Sequence, residues 1–131
     1  MTGETNLNKL LKTLKPDLKK EEYVYCTLSD QKLINLSFKP ICTFIEEEGI
    51  TIICSKNDAQ TANLNFVFTC RMITLTIHSS LEAVGLTAAV STKLAHAGIS
   101  ANVIAAYYHD HIFVPTDKAE EAIKLLKELS S

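Results

Sequence analysis

His78-Ser79-Ser80-Leu81-Glu82-Ala83-Val84-Gly85-Leu86, at positions 78–86, decides how this chain is read. Before it, Ile73, Leu75 and Ile77 alternate with Thr74, Thr76 and His78. That period of two predicts a strand with one apolar face and one polar face. After it, Leu86, Val90 and Leu94 recur at helical spacing with Ala97 close by, and Gly98 stands where a left-handed helix terminus belongs. The quoted residues therefore lead from a strand end into a helix. Small polar residues and a glycine there leave backbone N–H groups free, and the positive end of the helix dipole adds to them. Such a place suits a carboxylate or another small anion. A second reading stands beside this one. Ser79 and Glu82 have capping-box spacing, in which case Ser79 simply caps the helix. Gly85 weighs against a helix that begins at Ser79, because a glycine inside it costs about 1 kcal/mol relative to alanine.

On the C-terminal side, Asn102 to Tyr107 and His111 to Val114 read as a hairpin around His109-Asp110. A last helix follows, with Asp117 and Glu120 in capping-box spacing and a buried stripe of Ala119, Ala122, Ile123, Leu126 and Leu129. On the N-terminal side, Leu7, Leu10, Leu11 and Leu14 share one helix face, and Pro16 stops that helix. Tyr23 to Leu28 is β-branched and aromatic, as a strand is. Leu33 to Phe38 has no clear pattern. Ile41–Ile45 and Ile50–Cys54 flank Glu46-Glu47-Glu48-Gly49, a hairpin with a solvated acidic turn. Ser55 is placed to cap a short helix, and Phe66 to Cys70 leads into the period-two strand. Two strand pairs, each followed by a helix, predict a degenerate internal repeat. The expected class is α+β, an antiparallel sheet with helices on one face.

The totals agree with a small folded protein. Of 131 residues, 47% are hydrophobic and 21% charged, with a formal net charge of −2, so nothing favours nucleic acid. The least charged helical stretch, Leu81 to Gly98, contains Glu82, Lys93 and His96, which argues against a membrane span. The first residues, Met1-Thr2-Gly3-Glu4-Thr5-Asn6, have neither a basic nor an apolar leader segment, and a cytoplasmic location is expected. Cys26, Cys42, Cys54 and Cys70 form no C-x-x-C pair and sit in apolar runs, as buried free thiols do. A zinc site needs closer ligand pairs. His109 and His111, two apart, would share a strand face, but a turn is expected there and no third ligand stands nearby. His78 either lines a cleft or ends a strand. If the strand continues, Tyr107 and Tyr108 face opposite sides, placing one in a core or interface. No nucleophile elbow, zinc helix, phosphate loop or dinucleotide fingerprint is present. No catalytic residues, metal or cofactor are therefore assigned.

From Ile73 to Leu129 the chain resembles an ACT domain, the amino-acid-sensing module of aspartate kinases and other biosynthetic enzymes. Ser79-Ser80, Val84-Gly85-Leu86, Leu94-Ala95-His96-Ala97-Gly98-Ile99-Ser100, the hairpin and the Asp117-Lys118-Ala119-Glu120-Glu121-Ala122 helix carry the resemblance. Ala97-Gly98-Ile99-Ser100 corresponds to the family's A-G-I-N turn with serine last, and Val84 stands where proline commonly precedes the helix-start glycine. The whole chain is similar to small stand-alone bacterial proteins with two ACT-like halves, and to the ACT halves of cytosolic arginine sensors. The resemblance implies a ferredoxin-like βαββαβ architecture, with a degenerate half at 1–68 and an ACT domain at 69–131, paired side by side. It also implies a regulatory, non-enzymatic protein, a homodimer that binds a small effector such as an amino acid. The family's effector seat, carried over, is Ser79, Ser80, Leu81, Val84 and Gly85 from one unit and Ser100, Ala101, Asn102 and Val103 from its neighbour. Asn102 offers both an acceptor and donors to an α-amino or amide group. Two rivals remain: a ligand-free dimerisation module, and a small metal-dependent enzyme using His78, His109 and His111.

Overall fold

The computed structural model describes residues 6–76 and 84–130. In chain order the elements are α1 (Leu7–Thr13), β1 (Lys15–Leu28), α2 (Asp30–Ile34), β2 (Cys42–Ile45), β3 (Ile50–Ser55) and α3 (Lys56–Thr61). Then come β4 (Val67–Thr76), α4 (Leu86–His96), β5 (Asn102–Ala105), β6 (Asp110–Pro115), a 3-10 turn at Thr116–Lys118 and α5 (Ala119–Glu128). The strands join in the order β2-β3-β1-β4-β6-β5. This is the expected α+β class, with helices interposed between antiparallel strands.

The chain forms two compact units, residues 1–20 with 71–131, and residues 21–70. The expected division, 1–68 and 69–131, follows chain order, whereas the compact units interleave. In the first unit the later part of β4 is followed by α4, β5, β6 and α5, and the strand Lys15–Lys20 supplies the fourth strand. Its core gathers Leu10 and Leu14 of α1, Ile73 and Leu75 of β4, Leu86, Val90 and Leu94 of α4, Ile112 and Val114 of β6, and the α5 stripe. The helices bury one apolar face each, whereas β4 and β6 are buried on both faces, with Met72 to Leu75 and Ile112 to Val114 buried in succession. In the second unit the end of β1, α2, β2, β3, α3 and the start of β4 repeat the order. Val24, Cys26, Leu28, Ile50, Ile52, Cys54 and Ala59 form its core, with Leu33, Leu36 and Phe38 packed on them.

Several local expectations meet the structure directly. Ser55 caps α3, accepting the Asp58 N–H at 3.0 Å. The hairpin β2–β3 closes with Ile45 opposite Ile50, and the Glu46 N–H donates to the Gly49 carbonyl at 3.0 Å. A Cβ on Gly49 would stand 2.9 Å from the Thr27 hydroxyl oxygen, so a side chain there requires Thr27 to shift. Other expectations change. The residues around Leu33 belong to α2, whose cap is Ser29, accepting the Lys32 N–H at 3.2 Å. Asp117 and Glu120 do not form a capping box. A 3-10 turn intervenes, and the N-cap of α5 is Lys118, which makes no side-chain cap bond. The second face of β4 is not simply polar and wet: Thr74 is buried and hydrogen-bonded to His111.

Candidate ligand-binding site

The start of α4 settles one of the open alternatives. Gly85 is the N-cap, in the left-handed conformation at φ 96°, and it brings no side-chain cap to the helix. The helix begins at Leu86, so the Ser79–Glu82 spacing is not the cap of α4. A non-glycine residue is strained at this φ. A Cβ here would also come within 3.1 Å of Leu7 Cδ2, so α1 closes on the backbone where the side chain is missing. No acidic residue stands in the first turn of α4. Its N–H groups thus carry the positive end of an 11-residue helix with no carboxylate of that helix beside them. Val84, directly before, is 81% exposed. Ser79, Ser80 and Leu81 lie outside the described residues, as does His78.

The other half of the expected site begins where α4 ends. Gly98 is left-handed at φ 73°. The Ile99 N–H donates to the Leu94 carbonyl at 3.0 Å and the Gly98 N–H to the Ala95 carbonyl at 3.0 Å. This double closure is a Schellman motif, and it tucks Ile99 into the core beside Leu94. Ser100 is exposed, and Ala101 packs partly on the core. Asn102 opens β5 opposite Phe113 and is exposed, whereas Val103, opposite Ile112, turns toward the helix-side core. Val103 therefore packs in this unit, and Asn102 presents an exposed polar side chain. The helix separates the two groups, since 11 residues at 1.5 Å each span about 16 Å. Gly85 and Asn102 of one chain's unit lie at opposite ends of α4 and do not line one seat together.

The histidines gather with unexpected partners. His109 and His111 have ring centroids 6.4 Å apart, nearly perpendicular. His111 Nδ1 is 3.1 Å from the Thr74 hydroxyl, and the buried His109 Nδ1 meets no hydrogen-bond partner among the described residues. Burial, then the neighbouring His109, hold the His111 imidazole below its ordinary value, and burial pushes the Asp110 carboxyl up. Among the described residues no three His, Cys, Asp or Glu side chains converge on a metal position. Tyr107 and Tyr108 do not continue the strand. They form the exposed tip of the hairpin, stacked edge-to-face at 4.9 Å, so neither is in the core. Three of the four cysteines are buried free thiols, and Cys42 is only half-buried. Burial pushes the Cys54 and Cys70 thiols up to about 12, which keeps them protonated and unreactive at neutral pH.

Two matches to the ACT domain family model cover residues 2–71 and 67–128. The chain belongs to the ACT domain family. Comparison with curated proteins finds no match. Among solved structures, a Vibrio cholerae protein of unknown function, a possible transport protein, is 48% identical, with 95% of this chain and 96% of that one covered and a TM-score of 0.85. The ligand-free regulatory subunit of aspartate kinase from Thermus thermophilus shares the fold at 10% identity, covering 92% of this chain and all of that one, at a TM-score of 0.64. The corresponding subunit from Thermus flavus does so at 11% identity, covering 90% and 97%, at 0.64. ACT domains are typically regulatory ligand-binding modules. In this ACT protein residues 21–70 run in the βαββαβ order, whereas the unit of 1–20 with 71–131 runs β4, α4, β5, β6, α5 and takes its remaining strand from Lys15–Lys20; Gly85 and Gly98 bracket α4. No helix among the described residues is long and apolar enough to cross a membrane.

Proposed function

We propose that this ACT protein is a non-enzymatic regulatory module of the cytoplasm whose effector is a free amino acid, bound where α4 begins. The observation that carries the reading is the left-handed Gly85 N-cap, which leaves the first-turn amides of α4 without a side-chain cap from that residue. The effector carboxylate is seated on the N–H groups following Gly85, where the helix dipole favours negative charge. Ser79, Ser80, Leu81 and Val84 surround it in this proposal. Its amino end meets Asn102 and the backbone at Ser100–Val103. These belong to a second copy, because one unit holds the two groups at opposite ends of a helix. The effector then couples its own binding to homodimer pairing, and each favours the other.

Amide-resolved NMR titration with single amino acids tests this seat. One of them moves the amide resonances of Leu86, Thr87 and Ala88 saturably while those of α5 stay fixed. A panel in which none does so removes the reading. The ligand-free pairing module keeps one specific point in its favour, since a partner would bury the exposed apolar side chain of Val84. In that case the same amides shift with protein concentration alone.

A further inference from the structure

The helices α2 and α3, both in the unit 21–70, end beside one another, and a cleft of about 270 Å³ opens between their C-terminal ends. Leu36 and Leu64, just past the two helices, supply its apolar lining, and both pack against the core of that unit. Its polar lining is three carboxamides, Gln31, Asn35 and Asn63, with the Ser37 hydroxyl, all exposed to water. No residue of α4 or β5 lines it, so it is separate from the seat at Gly85.

The backbone at the two ends adds acceptors. The Asn35 N–H donates to the Gln31 carbonyl at 3.2 Å and the Leu36 N–H to the Leu33 carbonyl at 3.2 Å. The Ala62 N–H donates to the Asp58 carbonyl at 3.0 Å and the Leu64 N–H to the Ala59 carbonyl at 2.9 Å. These bonds reach back along each helix, so the last carbonyls have no helical N–H ahead of them. Carbonyl oxygens gathered from two helix ends repel an anion. A cation is opposed by Lys32, the one charged residue of the lining among the described residues, and meets no carboxylate there. A neutral solute that both donates and accepts hydrogen bonds fits this balance. Each carboxamide offers two N–H donors and an acceptor oxygen, the helix ends add acceptors, and Lys32 and Ser37 add donors. The volume falls just below the roughly 300–1,000 Å³ of sites for drug-sized ligands, which limits the occupant to about one small ring.

We propose that this cleft binds a small neutral polyhydroxylated molecule of monosaccharide size. Its hydroxyl groups pair with the carboxamides of Asn35 and Asn63, and the C–H face of its ring lies on Leu36 and Leu64. Because the polar groups are open to water, each new hydrogen bond replaces one to water, and the affinity is of millimolar order.

NMR of the side-chain NH₂ groups of Asn35 and Asn63 reads the binding directly, with D-glucose, D-galactose, D-mannose and myo-inositol each added to tens of millimolar. At least one of the four shifts both groups saturably while the amides of Leu86, Thr87 and Ala88 stay fixed. Asn63 holds φ 56°, which glycine adopts freely, so Asn63→Gly removes the carboxamide and keeps the turn. Asn35 caps α2 at φ −92°, open to any residue, so Asn35→Ala keeps the fold as well. Each variant raises the dissociation constant about fivefold or more. D-glucuronate and D-glucosamine, which carry a charge, bind more weakly than the best neutral ring. No saturable shift with any of the four, an affinity that both variants leave unchanged, or tighter binding of a charged ring overturns the proposal. A shift confined to Leu86, Thr87 and Ala88 overturns it too. The two sets of resonances are read separately, so failure of this cleft leaves the amino-acid reading of the α4 seat to its own test.

Discussion

Gly85 carries two separate constraints, a left-handed backbone and a Cβ position 3.1 Å from Leu7. Gly98 carries only the first, since nothing lies within 4 Å of its missing Cβ. Gly98→Ala is therefore expected to cost about 1 kcal/mol, read by chemical denaturation, and Gly85→Ala about 1–3 kcal/mol because α1 must also give way. Equal costs at the two positions would show that the Leu7 contact is slack. His111 gives a pH dependence of definite sign. Burial lowers its folded-state value, so its contribution to stability is present above the ordinary value of 6.5 and is lost as pH falls through the folded value. His109, Lys19 and Asp110 are the charged groups acting on it, and Thr74 is its hydrogen-bond partner. Asp110, with a raised value, acts in the opposite sense: its protonation at more acid pH favours the fold. Urea midpoints are expected to fall between pH 7.5 and 5.5 in the wild type, and to fall less in His111→Asn.

At the scale of elements, what was legible depended on whether local signal and packing agreed. The helix α4 was readable at both ends because Gly85 and Gly98 each announce a backbone that other residues avoid, and Leu86, Val90 and Leu94 mark the face between. The first eight residues of β1 were not readable. Lys15-Pro16-Asp17-Leu18-Lys19-Lys20-Glu21-Glu22 is charge-dense, and only Leu18 among them packs against the core, so periodicity has almost nothing to register. Proline is the second residue of that strand, close to the start where strands best tolerate it. The helix α2 was hidden by its length, five residues, although the Ser29 cap was a signal that could have found it. Phe68 was illegible for a different reason: it holds φ 56° inside β4, a conformation its side chain disfavours, while its ring stacks on Tyr25 at 5.6 Å. Two variants check the elements. Leu94→Ala, at a fully buried position where α4 meets the core, is expected to cost about 2–5 kcal/mol. Ser55→Ala, which strips α3 of its cap, is expected to cost about 1 kcal/mol. Both are read as shifts in denaturation midpoint.

For the whole molecule, chain order and spatial order part company. Alternating patterns tell which residues form strands, but not that the first 20 residues join 71–131 in one compact unit. That pairing joins residues far apart in sequence, which local periodicity does not encode. The candidate site shows the same limit. Its two halves were each legible, one from a glycine at a helix start and one from a strand beginning at Asn102. Their separation by the length of α4 is a property of the folded unit alone, and it is why the proposed effector seat draws on a second copy.

Thermal unfolding of the purified protein with each of the twenty amino acids at millimolar concentration tests the central claim most directly. Binding to the folded state at 100 times the dissociation constant adds about 2.7 kcal/mol, a rise of several degrees for a chain of this size. Such a rise is expected with at least one amino acid, and its loss in Gly85→Val. No rise with any of the twenty, or a rise that Gly85→Val leaves intact, would contradict it.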